Sequence, residues 1–160
     1  MAEKTDTGSG DRPIAENRKA HFDYHFIDVF ETGLVLGGTE VKAIREGGVN
    51  LRDSFARVEN GEVWVYNVNI SPYSHRGYAE HDPTRRRKLL LHKSEIRKLI
   101  GHTSEKGLTL VPVRLYFKRG RVKLALALAK GKLARDKRET IKKREADRET
   151  RAAVKERVRR

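Results

Sequence analysis

The chain has 160 residues, no cysteine, and 36 Lys and Arg against 22 Asp and Glu, a net charge of +14 with an isoelectric point near 10.2. Those numbers exclude disulfides, thiolate metal sites and thiol nucleophiles, and they favour a polyanionic partner. The length fits one domain with tails, and no apolar run approaches the ~20 residues that span a bilayer, so a cytoplasmic monomer without metal or cofactor is expected.

Residues 1–12 are small and polar, lack the apolar stretch of a signal peptide, and read as a disordered leader. Over 17–31, Phe22, Tyr24 and Phe26 recur at every second position. That period predicts a strand with an aromatic face and a basic entrance at Arg18 and Lys19. Such a row is more often core than ligand surface, although cations beside an exposed ring suit a nucleobase. Thr32-Gly33 is expected to break the strand before a short second one at 34–36. Between Gly37-Gly38 and Gly47-Gly48, Thr39 to Glu46 reads as one or two helical turns capped by Thr39. Val41 and Ile44 share one face of it, Lys42 and Arg45 the other.

Residues 51–58 and 62–70 are predicted strands joined by Asn60-Gly61, a pair suited to a type I′ hairpin. Trp64 and Tyr66 oppose Val63 and Val65, so both faces carry bulk, as in a barrel wall. Packing outweighs base stacking as the reading of Trp64. A loop over 71–80 leads to Asp82-Pro83-Thr84-Arg85-Arg86-Arg87-Lys88-Leu89-Leu90-Leu91-His92. Pro83 disfavours helix there, which spreads four consecutive cations along an extended line suited to phosphates. Ser94 starts a short helix that Leu99 and Ile100 hold and Gly101 ends.

Residues 107–117 and 121–129 are long alternating strands turned at Lys118-Arg119-Gly120, with Pro112 confined to an edge or a bulge. Val122, Leu124, Leu126 and Leu128 form the core face of the second strand. About six strands with about three short helices predict a mainly β fold. It is a small antiparallel barrel of oligonucleotide-binding (OB) type over 13–130.

Residues 131–160 hold thirteen Lys and Arg against six Asp and Glu, hence +7, half the net charge. Leu133, Ile141, Val154 and Val158 make no continuous stripe, while Glu139 and Lys143, or Asp147 and Arg151, are helix-favouring pairs four apart. This basic tail is expected to be disordered until a polyanion orders it as a helix. Catalysis finds no footing. The six histidines fall into no ligand spacing beyond His92-x-x-Glu95, and there is no nucleophile elbow or phosphate-binding glycine loop.

Three stretches, Gly38-Thr39-Glu40-Val41-Lys42-Ala43-Ile44-Arg45, the 82–92 segment, and Ala129-Lys130-Gly131-Lys132 followed by Asp136-Lys137-Arg138, occur in a distinctive order and spacing. Together they resemble small protein B, the family of SsrA-binding proteins of bacterial trans-translation, from about Ile14 through the tail. The resemblance implies an OB barrel with added helices that binds the tRNA-like domain of transfer-messenger RNA (tmRNA). It also implies delivery of that RNA to stalled ribosomes, the body standing in for an anticodon arm and the tail entering the empty mRNA channel.

Residue chemistry and resemblance together nominate Arg18, Lys19, Glu31, Lys42, Arg45, Arg85, Arg87, Lys88, Leu91, His92 and Lys132 for RNA binding. Phe22, Asp136, Lys137, Arg138, Lys142, Lys143 and Arg144 are expected at the small-subunit decoding site and mRNA channel. Glu31 either accepts hydrogen bonds from a base edge, orients a nearby cation, or closes a structural salt bridge. Leu91 supplies apolar contact at the rim or packs in the core. Where the family usually has a histidine, this chain has Phe22, which can stack but cannot donate, and a strand would turn His21 to the opposite face.

Overall fold

The computed structural model describes residues 11–72, 81–105 and 107–159. Its elements are β1 (Arg12–Glu16), α1 (Arg18–Asp23), β2 (Tyr24–Leu34), α2 (Gly38–Arg45), β3 (Val49–Asn50), β4 (Phe55–Glu59) and β5 (Glu62–Tyr66). There follow β6 (Asn69–Ile70), β7 (Arg87–Leu90), α3 (Lys93–Thr103), β8 (Leu108–Lys118), β9 (Arg121–Gly131) and α4 (Ala134–Arg159). Most of the expected leader and of the 71–80 loop lies outside the described residues; Arg12 opens a strand.

Six strands close a ring in the order β8-β4-β5-β7-β2-β9, with β9 paired back onto β8 and every pair antiparallel. Closure leaves no long free edge among them, which is how a small barrel protects its backbone groups. The alternating residues foreseen as core line the inside: Val63 and Val65, Leu89, and Leu124, Leu126 and Leu128 fall in one cluster with Phe30, Leu110 and Leu115. Ile44 from α2 and Leu99 from α3 join that cluster, each buried, so both helices are tied to the barrel by apolar burial of about 2 kcal/mol per side chain.

The tight turns follow from backbone chemistry. Asn60 and Gly61 take φ of 50° and 75°, and Arg119 and Gly120 take 51° and 74°, left-handed values that connect adjacent antiparallel strands. Pro112 sits at a bulge in β8, where the register slips between Pro112 and Arg114. Asn17 binds carbonyls at and near this bulge. Its Nδ2 donates to Pro112 O at 2.9 Å and Leu51 O at 3.2 Å, and its backbone N donates to Val113 O at 2.7 Å. The Oδ1 of the same side chain caps α1 by accepting from Ala20 N at 3.2 Å.

Several local expectations are corrected. Residues 17–31 are not one strand: Arg18, Lys19 and Phe22 ride on α1, and β2 starts at Tyr24. β2 also runs unbroken through Thr32 and Gly33. The Thr32 hydroxyl donates to Leu124 O at 2.9 Å, and a Cβ on Gly33 would stand 3.3 Å from Leu90 Cβ, so these residues serve close strand packing. Gly37, not Thr39, precedes α2 as its cap, and α3 runs past Gly101 to Thr103. β9 is buried on both faces, because Ala125 and Ala127 pack under Val113, Tyr116 and Phe26. Apart from these corrections, residues 134–159 form a single helix, α4, with no buried residue, the conformation expected of the tail on a polyanion.

Candidate nucleic-acid interface

Glu31 lies on the outer face of β2 opposite Ala125, whose small side chain leaves space above the sheet. The Tyr116 hydroxyl donates to Glu31 Oε2 at 2.6 Å, and Lys118 Nζ stands 3.2 Å from the same oxygen. The Tyr116 hydrogen bond and the Lys118 cation hold the Glu31 carboxyl below its ordinary range. Burial and the facing carboxylate push the Tyr116 phenol well up. Glu31 is thus a fixed anion, with a side chain 42% exposed, that both orients a lysine and retains lone pairs for an incoming donor.

The pairing of Gly33 with Leu90 and Leu34 with Leu89 brings β2 and β7 together, so Glu31 and His92 lie beyond the same end of that short ladder. Leu91 is half-buried against the main core, whereas Leu90 is 51% exposed and is the accessible apolar residue of the trio. His92 is exposed at the start of α3 with Glu95 3.9 Å away.

The cationic run is not a free line of charges. In β7 the side chains alternate, and Arg87 and Leu89 point inward. Arg87 is fully buried. Its Nε is hydrogen-bonded to Glu40 Oε2, Nη1 donates to Val68 O at 2.7 Å, and Nη2 donates to Pro83 O at 3.2 Å. Arg85 binds the other oxygen of Glu40, with Nε at 3.1 Å. Arg86 lies over the Trp64 ring at 4.3 Å and pairs with Glu59 at 3.0 Å, while Lys88 pairs with Glu62 at 3.0 Å.

The expected four-cation phosphate line is therefore corrected to a salt-bridged scaffold. Arg87 is a core residue, and Arg85 and Lys88 keep only part of their charge open. Burial of Glu40 would raise its carboxyl, but the Gly37 N–H and the guanidinium groups of Arg85 and Arg87 more than offset it, and the net direction is down. Lys42 and Arg45 ride on the same α2, with Arg45 exposed in its last turn.

A second cluster joins α1 to the base of α4. Phe22 has Lys137 Nζ 5.8 Å and Arg144 Cζ 5.5 Å from its ring centre. Lys137 pairs with Asp23 at 3.3 Å, and His25 Nε2 lies 3.3 Å from Asp136 Oδ2. That His25 contact holds the Asp136 carboxyl down. Lys132 Nζ donates to His21 O at 3.3 Å and to Thr140 Oγ1 at 3.1 Å. His21 itself packs on Phe26, with ring centres 4.9 Å apart.

Arg18 is exposed on α1, and Lys19 pairs with Asp53 at 2.7 Å. Arg138, Lys142 and Lys143 are exposed along α4. Two groups thus emerge, one at the β2–β7 edge and one around Phe22. The sequence left out Tyr116, Asp23 and His25, all of which position named site residues. Only their polar character in otherwise apolar strands or at strand ends marked them.

Among the described residues no group of His, Asp and Glu is arranged to hold a metal ion, and no helix is long and apolar enough to cross a membrane.

A family model described as SmpB protein matches residues 14–156. The SsrA-binding protein of Trichodesmium erythraeum is 55% identical over 157 residues, covering 98% of this chain and 99% of the relative. That of Carboxydothermus hydrogenoformans is 59% identical over 144 residues, covering 90% and 97%. A solved structure described as "tmRNA-SmpB: a journey to the center of the bacterial ribosome" aligns with a TM-score of 0.65 at 51% identity, over 76% of this chain and 86% of that one.

Proposed function

This chain belongs to the SmpB protein family, and we propose that its barrel and its terminal helix divide the family's work between them. It binds SsrA RNA, that is tmRNA, and acts with it on the ribosome in trans-translation. One observation carries this reading: the likeness to SsrA-binding proteins extends over barrel and tail alike, 98% of the chain at 55% identity.

In this reading the β2–β7 edge grips the tRNA-like domain. A folded RNA is read through phosphates, 2′-hydroxyls and unpaired bases. Glu31 accepts hydrogen bonds from a base edge, Lys118 and Arg45 meet phosphates, and Leu90 with Leu91 supplies the apolar rim. The barrel then fills the place of an anticodon arm, Phe22 stacks on a base of the decoding site, and Arg138, Lys142 and Lys143 neutralise the walls of the mRNA channel. No step asks this chain to make or break a covalent bond, and its work on ribosomes places it in the cytoplasm.

Sequencing the RNAs that co-purify with the protein from its native cells tests the reading. Strong enrichment of tmRNA is expected. Recovery of RNAs in proportion to their abundance would overturn it.

A further inference from the structure

Beside the second group, with which it shares Asp23, a cleft of about 410 Å³ opens between α1 and the strands β4 and β8, lined among others by Lys19, Asp23, Asp53, Phe55, Arg57 and Thr109. On the same outer face, Phe55 and Tyr66 form a directly opposed cross-strand pair with rings stacked 5.3 Å apart and 10° from parallel. Arg57 lies against both rings, 5.1 Å from Phe55 and 5.7 Å from Tyr66.

Neither ring belongs to a core cluster, although half-buried aromatics normally join one. Arg57 has no carboxylate partner among the described residues, in contrast to Lys19, which Asp53 holds, and Arg85 to Lys88, which Glu40, Glu59 and Glu62 hold. A guanidinium fixed by two rings at the mouth of a polar cleft, and left without an anion, is a seat for a phosphate.

We propose that this cleft binds an unpaired RNA nucleotide, with its phosphate on Arg57, its base against Phe55, and the base's amino group on the carboxylates of Asp23 or Asp53. The proposal deepens the RNA-binding reading and rests on it, adding a nucleotide seat that adjoins the second group through Asp23. The acids set the selectivity. They accept from the exocyclic amines of adenine, cytosine or guanine, and uracil offers none, so uridine is the poorest ligand. Base–ring stacking supplies the sequence-tolerant part of the affinity.

The full-length protein is titrated with five-nucleotide RNAs of A, C or U, following amide shifts by NMR and the fluorescence of Trp64, which faces Arg57 across the β4–β5 ladder. Shifts are expected to centre on Ala20, Ser54, Phe55, Arg57 and Thr109, with A and C pentamers binding at least threefold tighter than U. Arg57→Gln and Phe55→Leu are each expected to weaken the A pentamer at least fivefold with an unchanged melting temperature.

Shifts centred elsewhere, or full pentamer affinity in Arg57→Gln, overturn the site. Equal binding of A, C and U overturns the role given to the carboxylates. Failure of the tmRNA reading shows separately, as co-purified RNA without tmRNA enrichment.

Discussion

Glu40 of α2 and Arg87 of β7 form a fully buried ion pair, and the same carboxylate also binds Arg85 and the N–H of Gly37. Truncating one partner strands a charge in the core, which typically costs 3–5 kcal/mol, whereas replacing both with apolar residues of similar size costs far less. Urea denaturation is therefore expected to show Glu40→Ala, which strands the buried Arg87, destabilised by about 3–5 kcal/mol, and Arg87→Ala destabilised by less, because Arg85 and the Gly37 N–H still hold the carboxylate. The double variant Glu40→Leu with Arg87→Met should lie closer to wild type than the two singles predict. Strict additivity would mean that the pair is not the unit that matters.

The same carboxylate sets an acid limit. The folded-state value of Glu40 is lowered, because its N–H and guanidinium partners outweigh the cost of burial. Its contribution is thus complete above the unfolded glutamate value of about 4.3 and disappears as pH falls through the lower folded value. Thermal melts taken downward from about pH 6 should show wild type converging on Glu40→Gln only below about pH 4.3. A gap between the two that stays constant through acid would contradict the lowered value.

Glu31 acts through a partner that no motif names. Removing the Tyr116 hydroxyl leaves the ring packed and takes away the donor that fixes the carboxylate. Tyr116→Phe is expected to weaken binding of the tRNA-like domain about fivefold, in keeping with roughly 1 kcal/mol for one hydrogen bond that preorganises a contact. Filter binding measures it, with circular dichroism as the fold control. Unaltered affinity in Tyr116→Phe, together with a large loss in Glu31→Ala, would show that Glu31 needs no positioning.

Legibility in the sequence tracked the range of each interaction. The β8–β9 hairpin, the Asn60-Gly61 turn and the inward Leu124, Leu126 and Leu128 are set by period-two alternation and local backbone chemistry, and all were readable. The α1 region was misread because Phe22, Tyr24 and Phe26 happen to alternate. A six-residue helix is also too short to show its own period, and its one local sign was Asn17 in a capping position. Arg87 was misplaced for a different reason. The carboxylate that makes its burial tolerable stands 47 residues away, so an arginine in a basic run reads as solvated until the sheet puts it on the inner face. Tyr116 and Arg57 were missed likewise, since each gains its meaning from a neighbouring strand.

Salt dependence separates scaffold cations from contacts. Each phosphate neutralised adds about 0.7–0.9 to the slope of log affinity against log salt. Arg45 is exposed in the last turn of α2, so Arg45→Ala should lower the slope for the tRNA-like domain by roughly that amount. Lys88→Ala should lower it less, because Glu62 already shares the charge. Conservative Arg87→Lys, if it folds, should leave the slope as it was, because the side chain at that position is sealed from solvent. A slope that falls with Arg87→Lys and not with Arg45→Ala would reverse these assignments.

The final test concerns how α4 stays helical. Its twenty-six residues bury nothing, and its described tertiary contacts gather at its start: Asp136 on His25, Lys137 on Asp23, and Lys137 with Arg144 on Phe22. Pairs along the helix itself, such as Arg135 with Glu139 at 3.8 Å, are worth a few tenths of a kcal/mol each. Without a packed face, α4 lacks the tertiary burial that supplies most helix stability in proteins. A peptide of residues 133–160 should therefore show little helix by circular dichroism in buffer and gain it on adding RNA. Deleting the chain after Lys132 should in turn leave affinity for tmRNA within a few-fold while abolishing peptide tagging on stalled ribosomes. A peptide fully helical alone would place the ordering in the sequence itself, and tagging that survives the deletion would remove the tail from the ribosomal step.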